Sequence, residues 1–135
     1  SFGYPAREDE RMLLKGDDRE AMLAAQSAVS NPAALVAMQQ AIRTIHISDD
    51  WLDYLQALLA ASRESGDSVG LSPRAGLALK KAGQAAAWLA GRDYATPDDL
   101  QAVFVAVTGH RLTTAAGSQR GSQLAAELLK RVAIP

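Results

Sequence analysis

The sequence predicts an all-α domain, a small helical bundle of about five to six helices. Apolar residues recur at helical spacing in several segments of the 135-residue chain. Three of these segments begin with an N-cap residue followed by proline, at Asn31-Pro32, Ser72-Pro73 and Thr96-Pro97. Aromatic residues make up only 5% of the chain while alanine and leucine dominate, which favours helix over sheet.

Length and composition fit one folded domain with a single core. Hydrophobic residues make up 48% and charged residues 21%, as in ordinary globular proteins. The formal net charge of −1 argues against nucleic acid as a partner. The chain has no cysteine, which is compatible with a cytoplasmic location, and its histidines His46 and His110 lie far apart, so we expect no metal site. No apolar run approaches the ~20 residues that span a bilayer, so we expect no membrane insertion.

The first segments are expected to form an extended start and three helices. The chain up to Pro5 is expected to be extended because residues before proline disfavour the helical region. A helix follows over 7–15, with its acidic residues in the first turn and Gly16 after its end. A weaker helix is expected over 17–25. Asn31 caps a third helix that reaches about Thr44, and its apolar positions are Leu35, Met38, Ile42 and Ile45.

A short extended link over 45–47 leads to a helix capped by Ser48. Its predicted buried face consists of leucines, and Trp51 and Tyr54 flank this face; the leucines are Leu52, Leu55, Leu58 and Leu59. Asp49 and Asp50 are adjacent acids, which could suggest acid–base or metal chemistry. Adjacent helical positions diverge by about 100°, so the helix start explains both acids better.

The next helix begins at Ser72, with Pro73 at the first and Arg74 at the second helical position. A cation at this point opposes the positive end of the helix dipole. A bound anion would remove the conflict, because backbone N–H groups, dipole and guanidinium would all face it. The alternative is a solvated arginine or a surface ion pair worth at most about 1 kcal/mol.

This helix is expected to end near Leu89 or Ala90, with Gly91 after its end. Its predicted buried stripe is Ala75, Leu79, Ala82, Ala86 and Leu89. Gly83 should allow a neighbouring element to approach closely. Arg63, in the polar stretch before this helix, could lean toward the same cleft, but a surface ion pair with Glu64 or Asp67 explains it as well.

The last part of the chain predicts two more helices. Thr96 and Asp99 form a variant of the capping box at the start of the first one, whose apolar positions are Leu100, Val103, Phe104 and Val107. A mobile loop is expected over 113–121. A final helix is expected over 122–131, with apolar positions Leu124, Ala125, Leu128, Leu129 and Val132.

Three stretches, 70–75, 91–100 and 110–112, resemble consecutive signatures of the C-terminal lid of MoxR-type AAA+ ATPases in order and in spacing. The first stretch corresponds to the sensor-2 motif, and Leu71 stands where smaller residues are more usual. The resemblance implies that residues 1–6 form a hinge from a missing AAA+ core and that residues 7–135 form the lid. It also implies that Arg74 and Ser72, with Tyr4 and Pro5 of the hinge, contact bound nucleotide.

The implied function is a contribution to ATP binding and hydrolysis in a chaperone-like complex for protein maturation or metal insertion. ATP and Mg²⁺ would be held mainly by the missing core, because the chain has no phosphate-binding loop ending in Gly-Lys-Ser/Thr. Implied partners are the core domain, neighbouring subunits of a hexamer and a von Willebrand factor A-type protein. Two alternatives stay open: a stand-alone helical interaction module, in which Arg74 binds an acidic partner, and a small DNA-binding domain.

Overall fold

The computed structural model describes residues 4–15, 31–64, 70–108 and 118–135. Within these residues the chain forms six helices and one isolated backbone bridge. The helices are α1 (Arg7–Lys15), α2 (Pro32–Arg43), α3 (Asp49–Glu64), α4 (Pro73–Leu89), α5 (Pro97–Thr108) and α6 (Ser118–Arg131). The prediction of an all-α bundle of this size is confirmed.

Helix α3 contacts every other described helix except α2, and most of its residues are buried. Its four predicted leucines are all buried. The indole of Trp51 is only 1% exposed and Tyr54 is equally enclosed, so the prediction that these two residues merely flank the buried face was wrong. The reason is that neighbours surround α3 on most sides, which leaves little of it to face water.

Close packing between α4 and α3 depends on two glycines. A Cβ on Gly83 would lie 2.6 Å from Cζ2 of the Trp51 indole, and one on Gly76 would lie 2.9 Å from Cδ1 of Leu59. The expected close approach at Gly83 is therefore found, and the group that approaches is an aromatic ring. The indole Nε1 donates to the carbonyl oxygen of Thr96 at 2.9 Å, which fixes the orientation of the ring.

Polar side chains attach α1 to α3. The Arg11 guanidinium donates to the Asp53 carboxylate at 2.8 Å and to Gln56 Oε1 at 2.9 Å. Gln56 is buried, and its Nε2 donates to the carbonyl oxygen of Arg7 at 2.8 Å, so both ends of its amide are satisfied. The hydrogen bond that Arg11 donates to Asp53 lowers the pKa of the Asp53 carboxyl from its ordinary value.

The predicted helix starts and the predicted link are found. Asn31 Oδ1 accepts from the N–H of Ala34 at 3.2 Å, and Ser48 Oγ accepts from the N–H of Trp51 at 3.0 Å. The link over 45–47 pairs with the segment after α4: His46 donates its N–H to the carbonyl oxygen of Asp93 at 2.8 Å. Helix α4 ends at Leu89, and Gly91 follows with φ of 79°, as expected for a glycine after a helix.

Two predictions about helices differ from the structure. Leu89 was predicted to be buried, but it is 78% exposed. The buried side of α4 instead consists of Ala75, Leu79, Gly83 and Ala87. This side faces α3 because Gly76 and Gly83 pack against Leu59 and Trp51. Helix α6 begins at Ser118, so part of the expected loop is helical. The expected helix over 17–25, the start of the chain before Tyr4, the third signature at 110–112 and the loop residues 113–117 lie outside the described residues.

Among the described residues, no helix has both the length and the hydropathy needed to cross a membrane. In the same ranges, no group of three or more histidine, aspartate or glutamate side chains is arranged to hold a metal ion.

We expect Gly83→Ala to destabilise the chain by about 1–2 kcal/mol. The new methyl group would collide with the fixed indole, and this overpacking exceeds the gain of about 1 kcal/mol that alanine brings to a helix interior. Urea unfolding of the chain measures the effect.

A double-mutant cycle with Trp51→Phe identifies the cause. The smaller ring removes the obstructing atoms, so Gly83→Ala should cost less in the Trp51→Phe background. An equal cost in both backgrounds would contradict the packing explanation.

Candidate functional site

The start of α4 has the predicted capped geometry. Ser72 Oγ accepts from the N–H of Ala75 at 3.1 Å, and the Ser72 carbonyl oxygen accepts from the N–H of Gly76 at the same distance. Pro73 has no N–H to offer. Most backbone donors of this first turn are therefore already used or missing.

Arg74 lies at the second position of this helix and is exposed. We expected backbone N–H groups to face a bound anion here. The capping bonds already use the N–H groups of Ala75 and Gly76, so fewer of them can bind an anion. An anion at this helix start would be bound mainly through the Arg74 guanidinium, which can donate two parallel charge-assisted hydrogen bonds.

The backbone just before this start is fixed to the last turn of α3. The N–H of Leu71 donates to Ser62 Oγ at 3.0 Å, and the carbonyl oxygen of Leu71 accepts from Arg63 Nε at 2.9 Å. Both Leu71 and Ser62 are buried. The residue that precedes the cap therefore has both of its backbone polar groups bound by neighbouring residues of one helix.

Arg63 also contacts the hinge and α1. Its guanidinium carbon lies 4.4 Å from the centre of the Tyr4 ring, within the range of a cation–π contact. Its Nη2 and Nη1 donate to the Glu10 carboxylate at 2.5 and 3.4 Å. The expected ion pair with Glu64 is wrong, since the partner is Glu10, and Asp67 lies outside the described residues.

Two residues of the predicted hinge, Tyr4 and Pro5, lie beside Arg63. Tyr4 and Pro5 are half-buried and line a cavity of about 260 Å³ with Arg63 and Glu10. Ser72 reaches the same cluster through Leu71, so Arg63 links the two groups of predicted site residues. Direct contact between any of these residues and nucleotide remains a prediction.

The second signature, over 91–100, forms a structural motif. Thr96 donates its N–H to Asp99 Oδ2 at 2.7 Å, and Asp99 donates its N–H back to Thr96 Oγ1 at 3.4 Å, as in the predicted capping box. Arg92 adds two bonds to the Asp99 carboxylate, at 2.7 and 2.6 Å. These Arg92 bonds, and then those from Thr96, lower the pKa of the Asp99 carboxyl below its ordinary value.

The pairing of two residues of the site, Glu10 and Arg63, was not predicted from the sequence. Glu10 was treated as one of several acids near a helix start, yet it is only 2% exposed. The sequence leaves Arg63 either leaning toward the cleft at the helix start or in a surface ion pair, and it does not indicate Glu10 as the partner. Their partnership spans 53 positions in the chain, and no local spacing pattern could have indicated it, because helix patterns relate residues three or four apart.

The all-helical bundle of the described residues is compatible with the predicted lid, and a comparison with protein families tests that prediction. A family model described as the AAA lid domain matches residues 60–132, which is more than half of the chain. The chain belongs to this family. The prediction of a lid domain of a MoxR-type AAA+ ATPase is confirmed.

The chain is also similar to parts of two curated proteins. The chain is 28% identical over 112 residues to the protein YeaC of Bacillus subtilis (strain 168), a match that covers 82% of this chain and 35% of YeaC. It is 38% identical over 64 residues to the protein MoxR of Methylorubrum extorquens, which covers 47% of this chain and 19% of MoxR. The chain therefore spans about a third or less of the length of these curated relatives.

A solved structure also shares the fold. The crystal structure of a candidate ATPase from Cytophaga hutchinsonii superposes with a TM-score of 0.66, at 22% sequence identity. The match covers 98% of this chain and 50% of that one. At this identity the likeness concerns the fold alone.

We expect Asp99→Ala to destabilise the chain by about 2–3 kcal/mol, because it removes the capping box and leaves Arg92 without its carboxylate. Asp98→Ala is the matched control. Asp98 is exposed in the same helix turn, and losing its interaction with the helix dipole should cost about 0.5 kcal/mol. Equal losses for the two variants would contradict the structural role of Asp99.

The effect should depend on pH with a defined sign. The pKa of Asp99 is lowered in the folded state, so its stabilisation is complete above the unfolded value of about 3.9 and is lost as pH falls through the folded value. The difference in unfolding free energy between wild type and Asp99→Ala should be constant above about pH 5 and shrink below about pH 4. Urea unfolding across this range measures it.

Proposed function

We propose that this chain is the sensor-2 lid of an ATP-hydrolysing MoxR-type protein, in which Arg74 donates charge-assisted hydrogen bonds to the terminal phosphate of ATP. The supporting observation is the placement of Arg74. It is exposed in the first turn of α4, where Ser72 caps the helix, and Leu71, the residue before that cap, is hydrogen-bonded to the last turn of α3.

The positive end of the helix dipole and the positive charge of Arg74 both favour an anionic ligand at this helix start. A cation in the first helical turn is disfavoured by the helix dipole, whereas a phosphate there interacts favourably with both the dipole and the guanidinium. Arginine is suited to bind phosphate because its planar guanidinium can donate two parallel hydrogen bonds to the phosphate oxygens. Ser72, Tyr4 and Pro5 are the other proposed contacts, with the hinge residues beside the adenine.

The remaining nucleotide chemistry is assigned to a core domain. The chain has no phosphate-binding loop of its own, so we propose that an AAA+ core holds ATP and Mg²⁺ and that the lid moves about residues 1–6 when the terminal phosphate is lost. The proposed assembly is a cytoplasmic hexamer with a chaperone-like role in protein maturation or metal insertion. A von Willebrand factor A-type protein is its proposed partner.

We expect Arg74→Ala in the full-length protein to lower kcat for ATP hydrolysis about tenfold or more, because one preorganised donor to developing charge is lost. Arg74→Lys should recover only part of the rate, since an ammonium cannot make the two parallel bonds. Steady-state ATPase assays measure both variants.

Arg131→Ala is the control, because Arg131 is also an exposed helical arginine and lies at the end of α6. It should leave kcat unchanged. A wild-type rate for Arg74→Ala would contradict the proposed function. Wild-type thermal stability of Arg74→Ala would show that the loss is not caused by unfolding.

A further inference from the structure

We propose that Arg63 is a positioning residue that couples the hinge to the sensor-2 helix, so that the placement of Arg74 depends on the hinge through one guanidinium. This inference rests on the proposed function and adds a residue to it that the sequence pattern did not assign. Its basis is the set of contacts that Arg63 makes on two sides.

On the hinge side, the guanidinium carbon lies over the Tyr4 ring, 4.4 Å from its centre, and both terminal nitrogens donate to the Glu10 carboxylate of α1. The Glu10 side chain is only 3% exposed and that of Arg63 is 15% exposed. The pair is therefore shielded from water, and its geometry is held more firmly than that of a surface ion pair.

On the sensor-2 side, the Nε of the same guanidinium donates to the carbonyl oxygen of Leu71, the residue before the Ser72 cap. Gly70 packs directly against this cluster: a Cβ there would lie 2.6 Å from the Tyr4 hydroxyl oxygen and 2.9 Å from Cα of Arg63. The backbone leading to Arg74 is thus in contact with the hinge tyrosine and with Arg63 together. The hinge tyrosine and the backbone before the Ser72 cap therefore contact the same guanidinium.

Only arginine can make all of these contacts at once. Its Nε, Nη1 and Nη2 donate in different directions within one plane, while the face of that plane covers the aromatic ring. Lysine at this position would keep the positive charge near Glu10. It would lose the bond to Leu71 or the contact with Tyr4, because an ammonium is a single donor point at the end of a flexible stem.

The chain supplies a matched control at the opposite end of α4. Arg92 also binds a carboxylate with two nitrogens, donates to a backbone carbonyl oxygen, that of Tyr94, and lies 5.7 Å from the centre of the Tyr94 ring. These contacts repeat the chemistry of Arg63 at a place that touches neither Leu71 nor Tyr4. Arg92→Lys therefore perturbs the fold in a comparable way without touching the proposed connection.

The experiment measures kcat and KM for ATP in the full-length protein for Arg63→Lys, Arg92→Lys, Arg74→Ala and the double variant Arg63→Lys/Arg74→Ala. We expect Arg63→Lys to lower kcat about tenfold, since misplacing a catalytic donor by a fraction of an ångström has effects of this order. Arg92→Lys should stay within about twofold of wild type. Thermal unfolding of each variant is measured in parallel.

The decisive readout is the double variant. If Arg63 acts by placing Arg74, then Arg63→Lys has nothing further to remove once Arg74 is alanine, and kcat should fall by less than about twofold in that background. General loosening of the fold would instead lower kcat by the same factor in both backgrounds. An equal factor in both backgrounds, or an effect of Arg63→Lys on kcat no larger than that of Arg92→Lys, would overturn this inference and leave the proposed function standing.

One further variant completes the test. Glu10→Gln keeps the shape of the partner and removes its charge, so it should give a smaller loss of kcat with the same dependence on Arg74, and it provides the test if Arg63→Lys does not fold. An additive effect of Glu10→Gln would again overturn the inference. A wild-type rate for Arg74→Ala would overturn the proposed function, and the inference with it.

Discussion

The enclosure of helix α3 by four neighbouring helices is the constraint on which the rest of the structure depends. A helix surrounded in this way must fill most of its circumference with apolar side chains and satisfy every polar group that it buries. Trp51 and Tyr54 meet the first demand. Gln56 and Ser62 meet the second, since both are buried and hydrogen-bonded. The neighbouring helices have to adapt, and the glycines of α4 are the clearest adaptation.

The polar residues at the end of α3 extend this constraint to the candidate site. Ser62 and Arg63 are consecutive, and they bind opposite polar groups of the same residue, Leu71. Because α3 is fixed by its packing, the backbone before the Ser72 cap is fixed as well. The exposed Arg74 therefore projects from a rigid base rather than from a flexible loop, which favours a defined geometry toward a ligand.

Local signals in the sequence predicted the helix starts well. The burial of individual side chains was predicted less well, because it depends on packing between residues that are distant in the chain. The caps at Asn31, Ser48, Ser72 and Thr96 rely on atoms within three residues, so the sequence contains all the information needed. The exposure of Leu89 and the burial of Trp51 depend on which neighbouring helix covers each face. A periodic pattern predicts the direction of the buried face, but it locates the edge of that face only to within about one residue position. Within the candidate site, the same distinction separates the predicted Ser72 and Arg74 from the unpredicted pair of Glu10 and Arg63.

The buried pair of Glu10 and Arg63 is better explained by geometry than by stability. Desolvating two charges costs several kcal/mol, and apolar residues of similar volume often stabilise a fold as well or better. An apolar pair could not, however, bind the Leu71 carbonyl oxygen and hold a planar group against Tyr4 at the same time. Glu10 orients the guanidinium, and the guanidinium then sets the distance between the hinge and the helix start. The charged pair thus makes contacts with the hinge and with the backbone before Arg74 that an apolar pair would lack.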